Sequence, residues 1–213
     1  MGLYNEKVLP YLIDVSMSDA ILGRYRQAVL ADVSGEVLEI GFGTGLNLPY
    51  YPDHVKQITT VDPSPGVHRR AQKRIDASPI TVDHRMLSGE ALPMGDRTFD
   101  SVVSTFTLCT IPQIEKALAE IYRVLKPGGR FFFVEHGLSP DPGIQTWQNL
   151  LTPIQKRIAG GCHFNRTMQP LIEHQFDQVQ IDAAYAQQVP KVAGYFYVGV
   201  ATKEIAEPED MPM

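Results

Sequence analysis

Cysteine is nearly absent: the 213 residues hold only Cys109 and Cys162. Two thiols are too few for a disulfide scaffold or a zinc site built from cysteines alone, so no metal is expected. Free thiols fit a reducing cytoplasm, the expected location. Positive charge is not in excess either. Nineteen Lys and Arg stand against 24 Asp and Glu, a formal net charge of -5, so no overall field exists to hold nucleic acid or an anionic membrane. No apolar run approaches the roughly 18 residues of a membrane span. The opening Met1-Gly2-Leu3-Tyr4-Asn5-Glu6-Lys7 lacks the basic cap and apolar core of a secretory signal. A Gly-x-Ser-x-Gly elbow, a His-Glu-x-x-His pair and a Cys-x-x-Cys pair are all missing, so hydrolase and structural-zinc readings lack support. The Asn/Asp-Pro-Pro-Tyr signature of nucleic-acid amino-group chemistry is missing too.

What is present is ordinary globular composition, 44% apolar and 20% charged, in a chain long enough to bury a full core. The first thirty residues carry helix-like spacing (Val8, Leu12, Val15, then Ile21, Leu22, Tyr25, Val29), with Pro10 as a candidate interruption. From Gly35 the texture alternates. Strands are expected at Val37–Ile40, Ile58–Val61, Ile80–Asp83, Ser101–Ser104 and Arg130–Val134, with helices at 66–77 and about 113–125 between them. Pro127-Gly128-Gly129 reads as the stop of the second helix. This order predicts an α/β fold: a Rossmann-like, mostly parallel seven-stranded sheet with helices on both faces and an antiparallel last strand. Beyond Glu135 a Pro/Gly loop (139–143), helices at 147–158 and 168–176 and strands at 179–183 and 195–201 follow. Residues 1–203 are expected as one domain, with a helical cap at 1–31 and a cover at 136–176 over the carboxyl end of the sheet, where ligands bind in such folds. The acidic, proline-containing stretch 204–213 is expected to be disordered.

The densest signal is Val37-Leu38-Glu39-Ile40-Gly41-Phe42-Gly43-Thr44-Gly45-Leu46-Asn47. Glycines at 41, 43 and 45 let the backbone pass close under a ligand. The dinucleotide fingerprint wants Gly or Ala where Leu46 stands. Glu39, just ahead of the glycines, would repel a pyrophosphate and suits a cationic ligand. Asp62 ends the second strand about twenty residues after Gly41, where a ribose diol is read.

Together with Asp62-Pro63-Ser64, Gly89-Glu90-Ala91-Leu92-Pro93, Asp96-x-x-Phe99-Asp100-x-Val102-Val103 and Arg123-Val124-Leu125-Lys126-Pro127-Gly128-Gly129, this loop resembles class I S-adenosylmethionine-dependent methyltransferases, their type-11 group in particular. The later stretch Glu135-His136-Gly137, Trp147, Pro153, Lys156 and Gly161-Cys162-His163-x-Asn165-Arg166 is similar to the methyltransferase-like proteins that methylate small thiols, and to bacterial phospholipid N-methyltransferases. The resemblance implies S-adenosylmethionine as cofactor and S-adenosylhomocysteine as product. It implies cofactor contacts at Glu39, Gly41, Phe42, Gly43, Thr44, Gly45, Asn47, Asp62 and Pro63, adenine contacts at Ser88, Gly89 and Glu90, and Thr105 and Phe106 beside the sulfonium. Ser88 departs from the aspartate common in the family, which leaves the adenine contact to its hydroxyl or to Glu90.

For the acceptor, His136 is the first candidate base, with Glu135 positioned to orient it. Cys162 and His163 are the next catalytic candidates. Asn165 and Arg166 are candidates to orient a polar group, Arg166 alternatively as a helix cap. Tyr11 and Trp147 are candidate substrate contacts, and Phe106, Phe164, Trp147 and Ile158 are expected to line an apolar pocket. The basic face Arg69-Arg70-Lys73-Arg74 reads as a solvated helix face, with peripheral contact to anionic lipid heads as the alternative. The expected acceptor is a small or lipid-like molecule, a thiol first and a phospholipid, quinone or phenol next; nucleic acid and integral membrane association are not expected. A monomer or homodimer is expected. A nicotinamide-dependent reductase and a cofactor-binding protein without turnover are the readings from other classes.

Overall fold

A computed structural model describes residues 4–205; the tail expected at 204–213 lies almost wholly outside them. A short π-helical turn (Tyr4–Val8) precedes α1 (Leu9–Met17) and α2 (Ala20–Leu30). Pro10 does not interrupt α1. It occupies the first turn, where its missing N–H costs nothing. Then come β1 (Val37–Ile40), β2 (Gln57–Val61), α3 (Pro65–Ala77), β3 (Thr81–Arg85), β4 (Phe99–Thr105), α4 (Ile114–Val124) and β5 (Leu125–His136). The chain continues through α5 (Pro142–Ile158), α6 (Met168–Gln175), β6 (Gln178–Tyr185) and β7 (Tyr195–Thr202).

The seven strands form one sheet in the order β3-β2-β1-β4-β5-β7-β6. All neighbours are parallel except β7, which runs antiparallel to β5 and β6. Strand order reverses between β1 and β4, which opens a crevice at their carboxyl ends. Every residue of β1 is buried, as a central strand covered on both faces requires. Alternation along β5 feeds both layers: Phe131 and Phe133 pack with α4 and α6, while Phe132 and Val134 pack with α2 and α3. In α4, Ile114, Ala117, Leu118, Ile121 and Val124 form the buried stripe. Each fully buried large aliphatic side chain there contributes roughly 1.5–3 kcal/mol.

Two expectations about boundaries were overturned. Pro127-Gly128-Gly129 does not separate helix from strand. The strand begins at Leu125 and runs through it, with Gly128 at φ +75° and the backbone of 128–129 exchanging bonds with Lys203. The 139–143 loop is likewise shorter than expected. Asp141 accepts from the Gly143 and Ile144 N–H groups and Pro142 takes the first turn, so α5 starts five residues before Trp147.

Candidate active site

The carboxyl ends of β2, β1, β4 and β5 open into one cavity of about 760 Å³, bordered also by residues of α1, α2, the 159–164 loop and the 188–196 segment. On the β1–β2 side the glycine loop and Asp62 hold each other. The Gly43 N–H donates to Asp62 Oδ2 at 2.9 Å and the Ser64 N–H donates to Oδ1 at 2.8 Å. Each carboxylate oxygen retains lone-pair capacity for a further donor. Burial pushes the Asp62 carboxyl upward, opposed by these two bonds. The three glycines have different reasons. A Cβ on Gly41 would collide with the Thr107 side chain, and one on Gly45 would press on Phe42, Leu48 and Arg74. Of the three, only on Gly43, at φ +57°, would a Cβ meet open space, 3.8 Å from the nearest backbone oxygen. Gly43 is therefore the position where the backbone itself faces the cavity.

Glu39 is buried beneath this loop. It accepts from Tyr51 Oη at 2.7 Å and Asn47 Nδ2 at 2.9 Å. Burial raises its carboxyl to about 7 despite both bonds. Asn47 also reaches Thr105 Oγ1 at 3.0 Å, so β1, the loop and β4 share one polar network. Thr44 donates to Asp14 Oδ1 at 2.6 Å, and Arg74 lies 2.8 Å from the same oxygen. Arg74 additionally donates to the Thr44 carbonyl at 2.9 Å, and Arg70 stacks over Tyr11. Half of the supposedly solvated basic face thus latches α1 onto the glycine loop. The ion pair alone is worth at most about 1 kcal/mol at this exposure.

Glu39, Gly41, Phe42, Gly43, Thr44, Asn47, Asp62, Pro63, Ser88, Gly89, Thr105 and Phe106 all line the cavity. Gly45 and Glu90 do not. Glu90 accepts from Ser88 Oγ and from the Gln113 N–H, which turns it away from the cavity and leaves Ser88 as the polar side chain at that wall.

On the β4–β5 side, Cys109, His136 and Cys162 meet. His136 Nε2 lies 3.0 Å from Cys162 Sγ, and the three ligand-type atoms lie within 4.8 Å of one another. All three residues line the cavity. Hydrogen bonding from Cys109, then from His136, draws the Cys162 thiol well below its ordinary value against the opposing cost of burial. The Cys109 thiol is correspondingly raised by its bond to Cys162 and by burial.

Several candidates fall elsewhere. Glu135 does not orient His136; strand neighbours point to opposite sides. Its buried carboxylate instead accepts the Thr107 and Leu108 N–H groups at 2.9 Å, the Cys109 N–H at 3.4 Å and the Ser104 hydroxyl at 2.9 Å, which shapes the 106–110 turn. His163 lies outside the cavity lining, with its N–H and Nδ1 both on the Cys109 carbonyl (3.0 and 3.1 Å). Asn165 bonds Asn149, and Arg166 donates to the Leu108 carbonyl rather than capping a helix. Neither lines the cavity. Tyr11, Trp147 and Ile158 are exposed at 52%, 58% and 52% and belong to outward faces of α1 and α5. Gln155 and Ala159 take the inward positions at that end of α5.

Sequence reasoning missed Arg26, Cys109 and Phe196. Arg26 is buried, donates through Nη1 to the Met17 carbonyl and leaves Nε without a partner among the described residues, close over the Phe106 ring. A charged residue on the apolar face of α2, between Leu22 and Val29, was the available signal. Cys109 carried none, because only the turn set by Glu135 brings it toward Cys162.

The chain matches a methyltransferase-domain family model over residues 38–133. It is 38% identical to the thiol S-methyltransferase TMT1B of Rattus norvegicus, over 72% of this chain and 65% of that protein. To human thiol S-methyltransferase TMT1A it is 30% identical, over 75% of this chain and 69% of that protein. The fold superposes on a SAM-dependent methyltransferase from Thermotoga maritima with a TM-score of 0.65, covering 94% of this chain and 98% of that one at 24% identity. The chain belongs to the methyltransferase family. It spans about 65% of the length of the rat relative. No helix among the described residues is long and apolar enough to cross a membrane.

Proposed function

We propose that this chain transfers a methyl group from S-adenosylmethionine to a small, apolar thiol. The residues present fit that cofactor: Gly43, whose Cβ would occupy the cavity, lies between Glu39 and Asp62, and Arg26 offers a buried, unpartnered N–H. When bound, the cofactor supplies an electrophilic methyl group on a sulfonium. Asp62 would hold the ribose hydroxyls, Ser88 and Gly89 the adenine, and Glu39 and Arg26 the oppositely charged ends of the methionine part.

The observation that carries the reading is the continuity of the cavity. One space is lined by both the Gly43–Asp62 wall and the Cys109–His136–Cys162 wall, with Phe106, Phe164 and Phe196 among its apolar surfaces. The second wall lies one strand beyond the switch point, which supports a side-by-side arrangement in which the cofactor would take the first wall and the acceptor the second. Alignment and exclusion of water are then what the chain contributes to a displacement whose electrophile is already activated. The names of the rat and human relatives add support for sulfur as the acceptor atom. The test is labelled S-adenosylmethionine against small alkyl thiols, phosphatidylethanolamine, quinols and phenols. Methyl thioether should form at a rate at least tenfold above the other products. Transfer to an amine or a phenol with none to thiols would overturn the assignment.

A further inference from the structure

We infer that Cys109, His136 and Cys162 form a binding site for a thiophilic divalent cation such as zinc, with its fourth position open to the cavity. Two sulfurs and one imidazole nitrogen are a soft donor set of the kind that selects zinc over magnesium or calcium. Tetrahedral zinc at ordinary bond lengths spaces neighbouring ligand atoms roughly 3.5–3.8 Å apart. The present group, with His136 and Cys162 at 3.0 Å and all atoms within 4.8 Å, reaches that spacing by small side-chain shifts. Three ligands from protein and one open position is the pattern of catalytic rather than structural zinc.

The ligands come from three separate places, the turn after β4, the end of β5 and the loop after α5, and bonds outside the cluster hold the turn and the loop in place. Glu135 holds the turn that carries Cys109. The His163 N–H and ring nitrogen bind the Cys109 carbonyl, which ties the loop carrying Cys162 to that same turn. Arg166 binds the neighbouring Leu108 carbonyl. His136 Nδ1 is buried without a partner among the described residues, so the polar interaction of that ring runs through Nε2 into the cluster. His163, Arg166 and Glu135 thus acquire a role: they position the ligand-bearing loops. The paucity of cysteine had argued against zinc, but a histidine 26 residues from Cys162 supplies the third ligand.

The role of the open position rests on the thiol reading. There the acceptor's S–H bond breaks as its sulfur bonds the cation, and the proton passes to a hydroxide held at that position, which leaves as water. The acceptor is thereby presented as a thiolate within the cavity.

The test uses the whole chain, stripped with chelator under a phosphine reductant and titrated with cobalt(II). The expected result is one cobalt per chain with intense thiolate-to-cobalt charge-transfer absorption and the visible bands of tetrahedral coordination. Cys162→Ser and His136→Asn should each weaken binding at least tenfold, while calorimetry with S-adenosylhomocysteine stays within twofold of the parent and certifies the fold. Adding a small thiol should then shift the visible bands. Absence of charge transfer, or parent-like cobalt binding in Cys162→Ser, would overturn the site; bound cobalt whose bands ignore the thiol would overturn the open position. Cobalt binding without thiol methylation would sink the acceptor reading and leave the metal site standing. Full thiol methylation by stripped protein that binds no cobalt would do the reverse.

Discussion

The two walls of the cavity are built by different means. The β1–β2 wall is local: Glu39, Gly43 and Asp62 lie within 24 positions and are joined mainly by backbone N–H groups and by side chains of the same segment. The β4–β5 wall gathers Cys109, His136 and Cys162 from across 54 positions, and its ligands are placed by a buried carboxylate and by loop-to-loop bonds. A local wall depends less on distant supports, here the contacts to Asp14 and Thr105. A wall assembled at long range fails when any of its supports is cut. Binding of cofactor and handling of acceptor should therefore separate by mutation.

The largest effects should come from the glycines, where the same chemical change breaks different things. Gly41→Ala drives a Cβ into Thr107 at φ +75° and should cost several kcal/mol of stability, read as a lowered Tm or insoluble protein. At Gly43 an added Cβ comes no closer than 3.8 Å to another residue, the Gly41 carbonyl oxygen. The left-handed backbone at this position costs Gly43→Val about 1–2 kcal/mol or more; the variant should stay folded and lose S-adenosylhomocysteine affinity by roughly a hundredfold or more, about 2.7 kcal/mol. Parent-like affinity would mean that the loop is only a turn.

Next in size is a pH effect that Glu39 contributes from the β1 wall. The Glu39 carboxyl sits at about 7 in the folded chain, above its ordinary value of 4.5, because it is buried. The folded state thus binds more protons between these values, and its stability should fall as pH rises from about 4.5 through 7. Glu39→Gln should remove this residue's share of the slope, a difference of a few kcal/mol across the window at about 1.36 kcal/mol per unit. Thermal melts of ligand-free parent and variant at pH 5 and 8 would show it, and parallel pH dependence in both would contradict the burial argument.

The smallest effects should fall on residues that the structure moves outside the cavity. Trp147→Ala should leave turnover and cofactor affinity within about twofold of the parent, as an exposed side chain away from the cavity lining. A tenfold drop in turnover would put α5's outer face back into acceptor recognition.

This contrast also explains which parts of the molecule were legible in the sequence. The strand-glycine-aspartate arrangement is a contiguous pattern whose spacing is set by one β-loop-β unit, so the Glu39–Asp62 wall could be anticipated, as the mostly parallel sheet could from the alternation of strands and helices. Even there, Gly41 and Gly43 look alike in sequence and differ only because Thr107 packs behind one of them. Cys162 and His163 show the limit on the other wall. Adjacent in the chain, they part at the loop, Cys162 toward His136 and His163 toward the Cys109 carbonyl. Which neighbour faces the cavity depends on the turn at 106–110, and that turn depends on Glu135, a residue whose orientation follows from strand alternation and not from its proximity to His136. For Arg26 the signal was weak: a charge between Leu22 and Val29 gains meaning only once Met17 and Phe106 are seen to enclose it.

The division between the walls is tested most directly by calorimetry with S-adenosylhomocysteine on Asp62→Ala and Cys162→Ser, each paired with a thiol turnover assay. Asp62→Ala should weaken binding about tenfold or more, two charge-assisted hydrogen bonds being worth at least about 1.5 kcal/mol together. Cys162→Ser should bind within about twofold of the parent and lose roughly tenfold or more in turnover. Equal loss of cofactor affinity in both variants, or full turnover in Cys162→Ser, would contradict the account.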